Sequence, residues 1–249
     1  MADDVKRCII GLMSGHSKWA TIHRQKGVKD AARGQLFSKL ARIITIATKT
    51  GGGANPDSNN KLRVAIEKAR QANMPKENIE RAVSKGATGD AMEEVAYEGF
   101  GPLGIQLIIE ASTDNRNRSA QEIKNLLEKS GGHLGGPGSA SFNFIPSGYI
   151  LVEKNANPEE AILKFMDFEV EDVLDTPEGI EVYTNPHQLY DVRHKIEALG
   201  YIVKDTELIQ KPKLMQDIDS ASVEKVIDFL TNLEDHDDIH KVFTNAHLK

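Results

Sequence analysis

Cysteine is nearly missing from this chain. Cys8 is the single one among 249 residues, so no internal disulfide can form and a reducing compartment is expected. Aromatic residues are sparse at 6%, and Trp19 is the one tryptophan. With 39% hydrophobic residues the composition still supports folded domains, though with small cores. No apolar run approaches the ~20 residues needed to span a bilayer. The opening MADDVKRCIIGL has an apolar core too short for a secretory signal. Met13 offers a second start, so residues 1–12 are expected to be a disordered, dispensable extension. These features together predict a cytoplasmic protein.

Acids are missing where bases are frequent. Between Gly15 and Gly53 the only acid is Asp30, against Lys18, Arg24, Lys26, Lys29, Arg33, Lys39, Arg42 and Lys49. A face that merely keeps a helix soluble mixes both signs. The net charge of −6 hides a split. Residues 1–86 carry 17 Lys+Arg and 7 Asp+Glu, a net of +10, whereas residues 87–249 carry 14 and 30, a net of −16. A cationic front suits a phosphate backbone, because each Lys or Arg that meets a phosphate releases condensed counterions. The acidic remainder is expected to face away from a polyanion or to meet a basic protein.

The period of the pattern places the elements. Leu36, Phe37, Leu40, Ile43, Ile44 and Ala47 recur at helical spacing and predict a helix over Val28–Lys49, stopped by Gly51-Gly52-Gly53. Lys39, Arg42 and Lys49 fall on its opposite face. A second helix is expected over Asn60–Ala72, with Lys61, Arg63, Lys68 and Arg70 outside. A third should start with Pro75 at its first position and run to Lys85. Beyond Ala91 the period shifts toward 2. Val95–Glu98 and Gly104–Glu110 read as paired strands, and a helix follows through Ile123 and Leu127, with Ser119 and Glu122 at capping-box spacing. Ser139–Ile145 reads as a strand. Residues 147–210 then read β-α-β-β-α-β, the split ferredoxin-like arrangement. Ile239–Thr244 has no neighbour in sequence and is expected to return to the preceding sheet.

The predicted architecture is multidomain, α followed by α+β. Residues 13–86 form a basic helical nucleic-acid-binding domain. Residues 92–145 with 211–249 form a discontinuous α/β domain, and 146–210 form a ferredoxin-like domain inserted into it.

Motifs that promise chemistry are few. Gly99-Phe-Gly-Pro-Leu-Gly104 matches a dinucleotide fingerprint, but a strand follows it instead of a helix, so a hairpin connection is expected. The loop Gly131–Gly138 could cradle an anion with backbone amides, or simply connect. His236 and His240 have metal-compatible spacing, but lie in a polar turn where solvation is the simpler reading. Arg116 and Arg118 lie at a helix amino terminus, where cations are unfavourable unless an anionic ligand or an acidic neighbour compensates. No nucleophile-and-base signature is present. The expectation is a non-enzyme with no cofactor and no metal.

The segments GHSKWATIHRQK, RGQLFSKLARIITIATKTGG, NPDSNNKLRVAIEKARQANMPKENIERA, YEGFGP and DNRNRS, in that order, resemble the YebC family, which includes the mitochondrial translational activator of cytochrome oxidase. The resemblance spans residue 13 to about 247. It implies a helical amino-terminal domain and two α/β domains, the last inserted into the middle one. It also implies a DNA-binding transcriptional regulator of the cytoplasm or, in the family's more recent description, a ribosome-associated factor that relieves stalling at proline-rich stretches.

The expected nucleic-acid contacts are Lys18, Trp19, Arg24, Lys26, Lys29, Arg33, Lys39 and Arg42, with Lys61, Arg63, Arg116 and Arg118 added. The cations would meet phosphates, and Trp19 could stack on an unpaired base. The expected partners are DNA or ribosomal or transfer RNA, with the ribosome among them and no membrane. A monomer is expected. The competing class is an acidic protein-interaction adaptor that touches no nucleic acid.

Overall fold

The computed structural model describes residues 30–88, 93–155 and 157–248. Among the described residues are seven α-helices and ten strands. They fall into two compact units. Among the described residues, one unit comprises those of 30–140 and 218–244, and the other those of 141–217 and 245–248.

The first unit begins with three helices: α1 (Asp30–Thr50), α2 (Asn60–Gln71) and α3 (Lys76–Ala87). Their core is the apolar stripe read from sequence. Leu40, Ile44 and Ala47 meet Leu62, Ala65, Ile66 and Ala69, and Met74, Ile79 and Ala82 close the third side. The α1–α2 corner is held by one side chain. Buried Asn59 accepts the Leu62 N–H at 3.0 Å as the amino-terminal cap of α2. It also donates to the Ala47 and Gly53 carbonyls at 2.8 and 2.7 Å. Gly51 is required beside it, since a Cβ there would lie 2.1 Å from Asn59 Oδ1. Pro75 is the residue before α3 and not its first position. It is followed by ordinary helical turns and supplies the carbonyl that accepts from Asn78 at 3.0 Å.

The rest of this unit is a four-stranded antiparallel sheet. Its strands are β1 (Glu93–Phe100), β2 (Gln106–Thr113), β3 (His133–Leu134) and β9 (Ile239–Thr244), in the order β3-β1-β2-β9. Residues Gly99–Gly104 are the β1–β2 connection, with a 3-10 turn at Pro102–Gly104, so no helix opens there. β9 returns from the far end of the chain to pair with β2, placing Val242 opposite Ile109. Two helices accompany the sheet, α4 (Arg116–Lys129) and α7 (Val223–Glu234). They bury Ile123 and Leu127 from α4 and Val226, Phe229, Leu230 and Leu233 from α7.

The second unit contains β4 (Phe144–Val152), α5 (Pro158–Met166), β5 (Val170–Thr176), β6 (Gly179–Thr184), α6 (Leu189–Ala198) and β7 (Val203–Pro212). The sheet order β5-β6-β4-β7, all antiparallel, is the ferredoxin-like one. Alternation by two puts Ile150, Val152, Ile180 and Val182 on one face, where Ala161 and Phe165 of α5 and Leu189, Val192 and Ile196 of α6 cover them. The strand expected over Ser139–Ile145 begins only at Phe144, after a 3-10 turn at Ser141–Asn143. It runs on through Val152 without the expected break. A short β8 (Gln216–Ile218) pairs with β10 (Ala246–Leu248), a ribbon that the periodicity did not signal. No helix among the described residues is long and apolar enough to cross a membrane.

Candidate nucleic-acid interface

The site was expected on the exposed face of α1 and the arm before it. Lys18, Trp19, Arg24, Lys26 and Lys29 lie outside the described residues, and Arg33 lies in α1 with its side chain outside them. The six remaining candidates can be placed.

Lys39 and Arg42 are not on a free face. From Ile44 to Thr48 every residue of α1 is buried, which no single-faced amphipathic helix would show. Thr45 hydroxyl donates to the Ala41 carbonyl at 2.9 Å and lies 3.1 Å from that of Ala82. A Cβ on Gly86 would stand 2.4 Å from the Thr45 carbonyl, so α3 presses closely on this side. One turn earlier, Lys39 Nζ donates to the Glu234 carbonyl at the carboxyl end of α7. Burial pushes its ammonium below the ordinary lysine value, against the pull of Glu234, Asp235 and Asp237. The placement suits the negative end of a helix. Arg42 Nη1 donates to the Asp237 carbonyl and reaches Asp238 Oδ1 at 2.8 Å.

Arg118 converges on the same carboxylate. It lies 3.4 Å from Asp238 Oδ2 and also 2.8 Å from Asp114. The Ser119 hydroxyl donates to Asp238 Oδ2 at 2.6 Å. Ser119 is therefore not a helix cap. Asn115 caps α4, accepting the Arg118 N–H at 3.1 Å, because the helix begins one turn earlier than the Ser119–Glu122 spacing suggests. The question left open for the Arg116–Arg118 pair is answered for Arg118: acidic neighbours in the fold compensate its place near the helix amino terminus.

Lys61 is exposed and pairs at 3.5 Å with Glu94, also exposed, a contact worth little in stability. Arg63 is half-buried and donates to Asn60 Oδ1 at 2.8 Å. Arg116 is exposed, and its carbonyl accepts from the Tyr97 hydroxyl at 3.3 Å. Lys61, Arg70 at the other end of α2, and Arg116 on α4 thus present cations to solvent.

Two other candidates are occupied by the chain's own groups. The amides of the Gly131–Gly138 loop do hold an anion, but it is Glu98. Its carboxylate accepts from Gly138 and Ala140, both at 2.7 Å, and its carbonyl from Gly135 at 2.8 Å. His236 lies 3.5 Å from Glu122, and His240 pairs with Ser112 at 3.1 Å and Glu110 at 3.7 Å. Their side chains serve different neighbours, and no metal-holding cluster occurs among the described residues. Burial alone would raise the Glu110 carboxyl, but the His240 hydrogen bond and the charges of Lys241, His240 and Lys61 together hold it below the usual range.

Asp238 is the residue that sequence reading missed. The acidic run Glu234-Asp235-His236-Asp237-Asp238 was a signal that cations must gather somewhere. Nothing local said which ones. Burial would push the Asp238 carboxyl up. The Ser119 hydrogen bond, the Arg42 charge and the Arg118 bond and charge outweigh it and hold it below the ordinary value. A carboxyl whose folded value is lowered stabilises the fold above its unfolded value, about 3.9, and loses that contribution as pH falls through the folded one. Asp238→Asn is therefore expected to be less stable than the wild type at neutral pH, with the difference shrinking below about pH 4. Urea unfolding at both pH values checks this.

Comparison with known proteins agrees over nearly the whole chain. Residues 17–89 match the family described as TACO1/YebC protein N-terminal domain, and residues 92–246 that described as TACO1/YebC second and third domain. A protein of Chloroflexus aurantiacus named "Probable transcriptional regulatory protein" is 45% identical, covering 94% of this chain and 95% of its own length. One of the same name from Dictyoglomus turgidum is 43% identical at the same coverage. The crystal structure of a conserved hypothetical protein from Aquifex aeolicus superposes with a TM-score of 0.78 at 42% identity, covering 90% of this chain and 95% of that one.

Proposed function

The chain belongs to the TACO1/YebC family, and on that premise we propose that it is a non-enzymatic regulator of gene expression that binds nucleic acid through its amino-terminal third. One observation carries the reading: the net of +10 over residues 1–86 against −16 over the rest. The names of its relatives, probable transcriptional regulatory proteins, support regulation over catalysis. The contacts are assigned to Lys18, Arg24, Lys26, Lys29 and Arg33 with Trp19 among them, extended by Lys61, Arg63 and Arg116.

A second reading, recognition of ribosomal or transfer RNA in place of operator DNA, has its own support. A major-groove recognition helix must expose one face to the bases. α1 is buried on both sides from Ile44 to Thr48. Phosphate and shape recognition suits such a surface better than base reading.

The test is a salt titration against duplex DNA and ribosomal RNA fragments. Five to seven engaged phosphates give a log–log slope of roughly −4 to −6. A slope near zero on both would favour the adaptor reading. Cross-linking in cells, with recovery of the bound species, then separates promoter DNA from ribosomal or transfer RNA.

A further inference from the structure

Asp238 sits where a phosphate would be expected. Two guanidiniums and a hydroxyl, one from α1 and two from neighbouring residues of α4, aim at one oxyanion: Arg42 at 2.8 Å, Arg118 at 3.4 Å and Ser119 at 2.6 Å. That donor set is the one proteins assemble for phosphate, because the guanidinium fork matches its oxygens. We propose that Arg42, Arg118 and Ser119 form an oxyanion site whose resting occupant is the Asp238 carboxylate, and that a phosphate of bound nucleic acid takes its place. The proposal rests on the nucleic-acid reading above and adds a specific exchange to it.

Exposure favours the exchange. The Arg42 and Arg118 side chains are 32% and 46% exposed, whereas that of Asp238 is 6% exposed. An incoming phosphate can therefore reach the guanidiniums from solvent, while the carboxylate must withdraw. Asp238 belongs to the short turn between α7 and β9, so its withdrawal lifts a turn and costs β2 one backbone hydrogen bond, at Ser112. What the turn gives up is limited and identifiable. The Ser112 N–H releases the Asp238 carbonyl, at 2.8 Å, and Arg42 releases the Asp237 carbonyl. Arg118 stands in the first turn of α4, where the macrodipole disfavours a cation, and Asp114 at 2.8 Å stays beside it in either state. A carboxylate of the chain itself keeps the site filled until a polyanion arrives. The resting state then lowers apparent affinity to the intrinsic affinity multiplied by the fraction of molecules in which Asp238 has left the site.

Asp238→Asn keeps the shape and removes the competing charge. It is expected to bind a ribosomal RNA fragment at low salt about tenfold more tightly than the wild type. Adding Arg42→Gln or Arg118→Gln to it should abolish that gain. A folded Asp238→Asn protein with unchanged or weaker binding overturns the exchange. A second measurement needs no variant: on RNA binding to the wild type, hydrogen exchange at the Ser112 amide should accelerate, and unchanged or slower exchange overturns the proposal. Wild-type protein that binds no polyanion defeats the nucleic-acid reading itself, and the exchange with it. Wild-type binding with a silent Asp238→Asn and a silent Ser112 defeats the exchange alone.

Discussion

Reversing the charge of Arg24, Lys26, Lys29 and Arg33 together is expected to weaken binding to DNA and to ribosomal RNA by about a thousandfold or more near 0.1 M salt. Each cation that meets a phosphate contributes ~0.7–0.9 to the salt slope, so losing four flattens it by about 3. Four reversed charges add repulsion to that loss. Lys39 and Arg42 make the instructive comparison, since they belong to the same basic stretch. Lys39 is spent on the end of α7, and Arg42 is held by Asp237 and Asp238. Lys39→Gln is therefore expected to change stability more than binding. Filter binding and fluorescence anisotropy over a salt series read the affinities, with circular dichroism as the check on folding. Unchanged association of the fourfold variant with both DNA and ribosomes would remove the basis of the proposed function.

Asn59→Ala carries the largest expected effect on stability, about 3 kcal/mol. The substitution removes the cap of α2, worth about 1 kcal/mol by itself. It also strips the Ala47 carbonyl, at the end of α1, and the Gly53 carbonyl of their side-chain donor. The Ala47 carbonyl keeps the Gly51 N–H at 3.0 Å and exposed Gly53 can turn its carbonyl to solvent, so each lost bond costs about 1 kcal/mol. Asn59→Asp separates the two roles. It keeps an acceptor for Leu62 but turns a carboxylate toward two carbonyl oxygens, so it should be no better than alanine. Urea denaturation followed by helical circular dichroism measures both. A loss under half a kcal/mol for alanine would mean that the corner is held by packing alone.

How much of this was legible beforehand depended on distance along the chain. The helix of residues 30–50 and the β-α-β-β-α-β order were readable, because a period of 3.6 or 2 is written in neighbouring residues. The hairpin reading of Gly99–Gly104 was equally local, since the strand after it excluded a dinucleotide turn. The features misread or left open had distant or competing partners. Ser119 offered a plausible cap, but Asn115 took that role and the Ser119 hydroxyl went to a residue 119 positions away. The glycine loop had the amides for an anion, and Glu98, 40 positions before Gly138, supplied one.

The sequence alone determined the family, the order of helices and strands and the segregation of charge, since these are properties of local spacing and of counting. Tertiary structure decided which cations remain available. Lys39 meets the Glu234 carbonyl across 195 residues, and Arg42 pairs with the Asp238 carboxylate across 196. An ion pair forms wherever folding brings opposite charges together out of water, and no local pattern encodes that meeting.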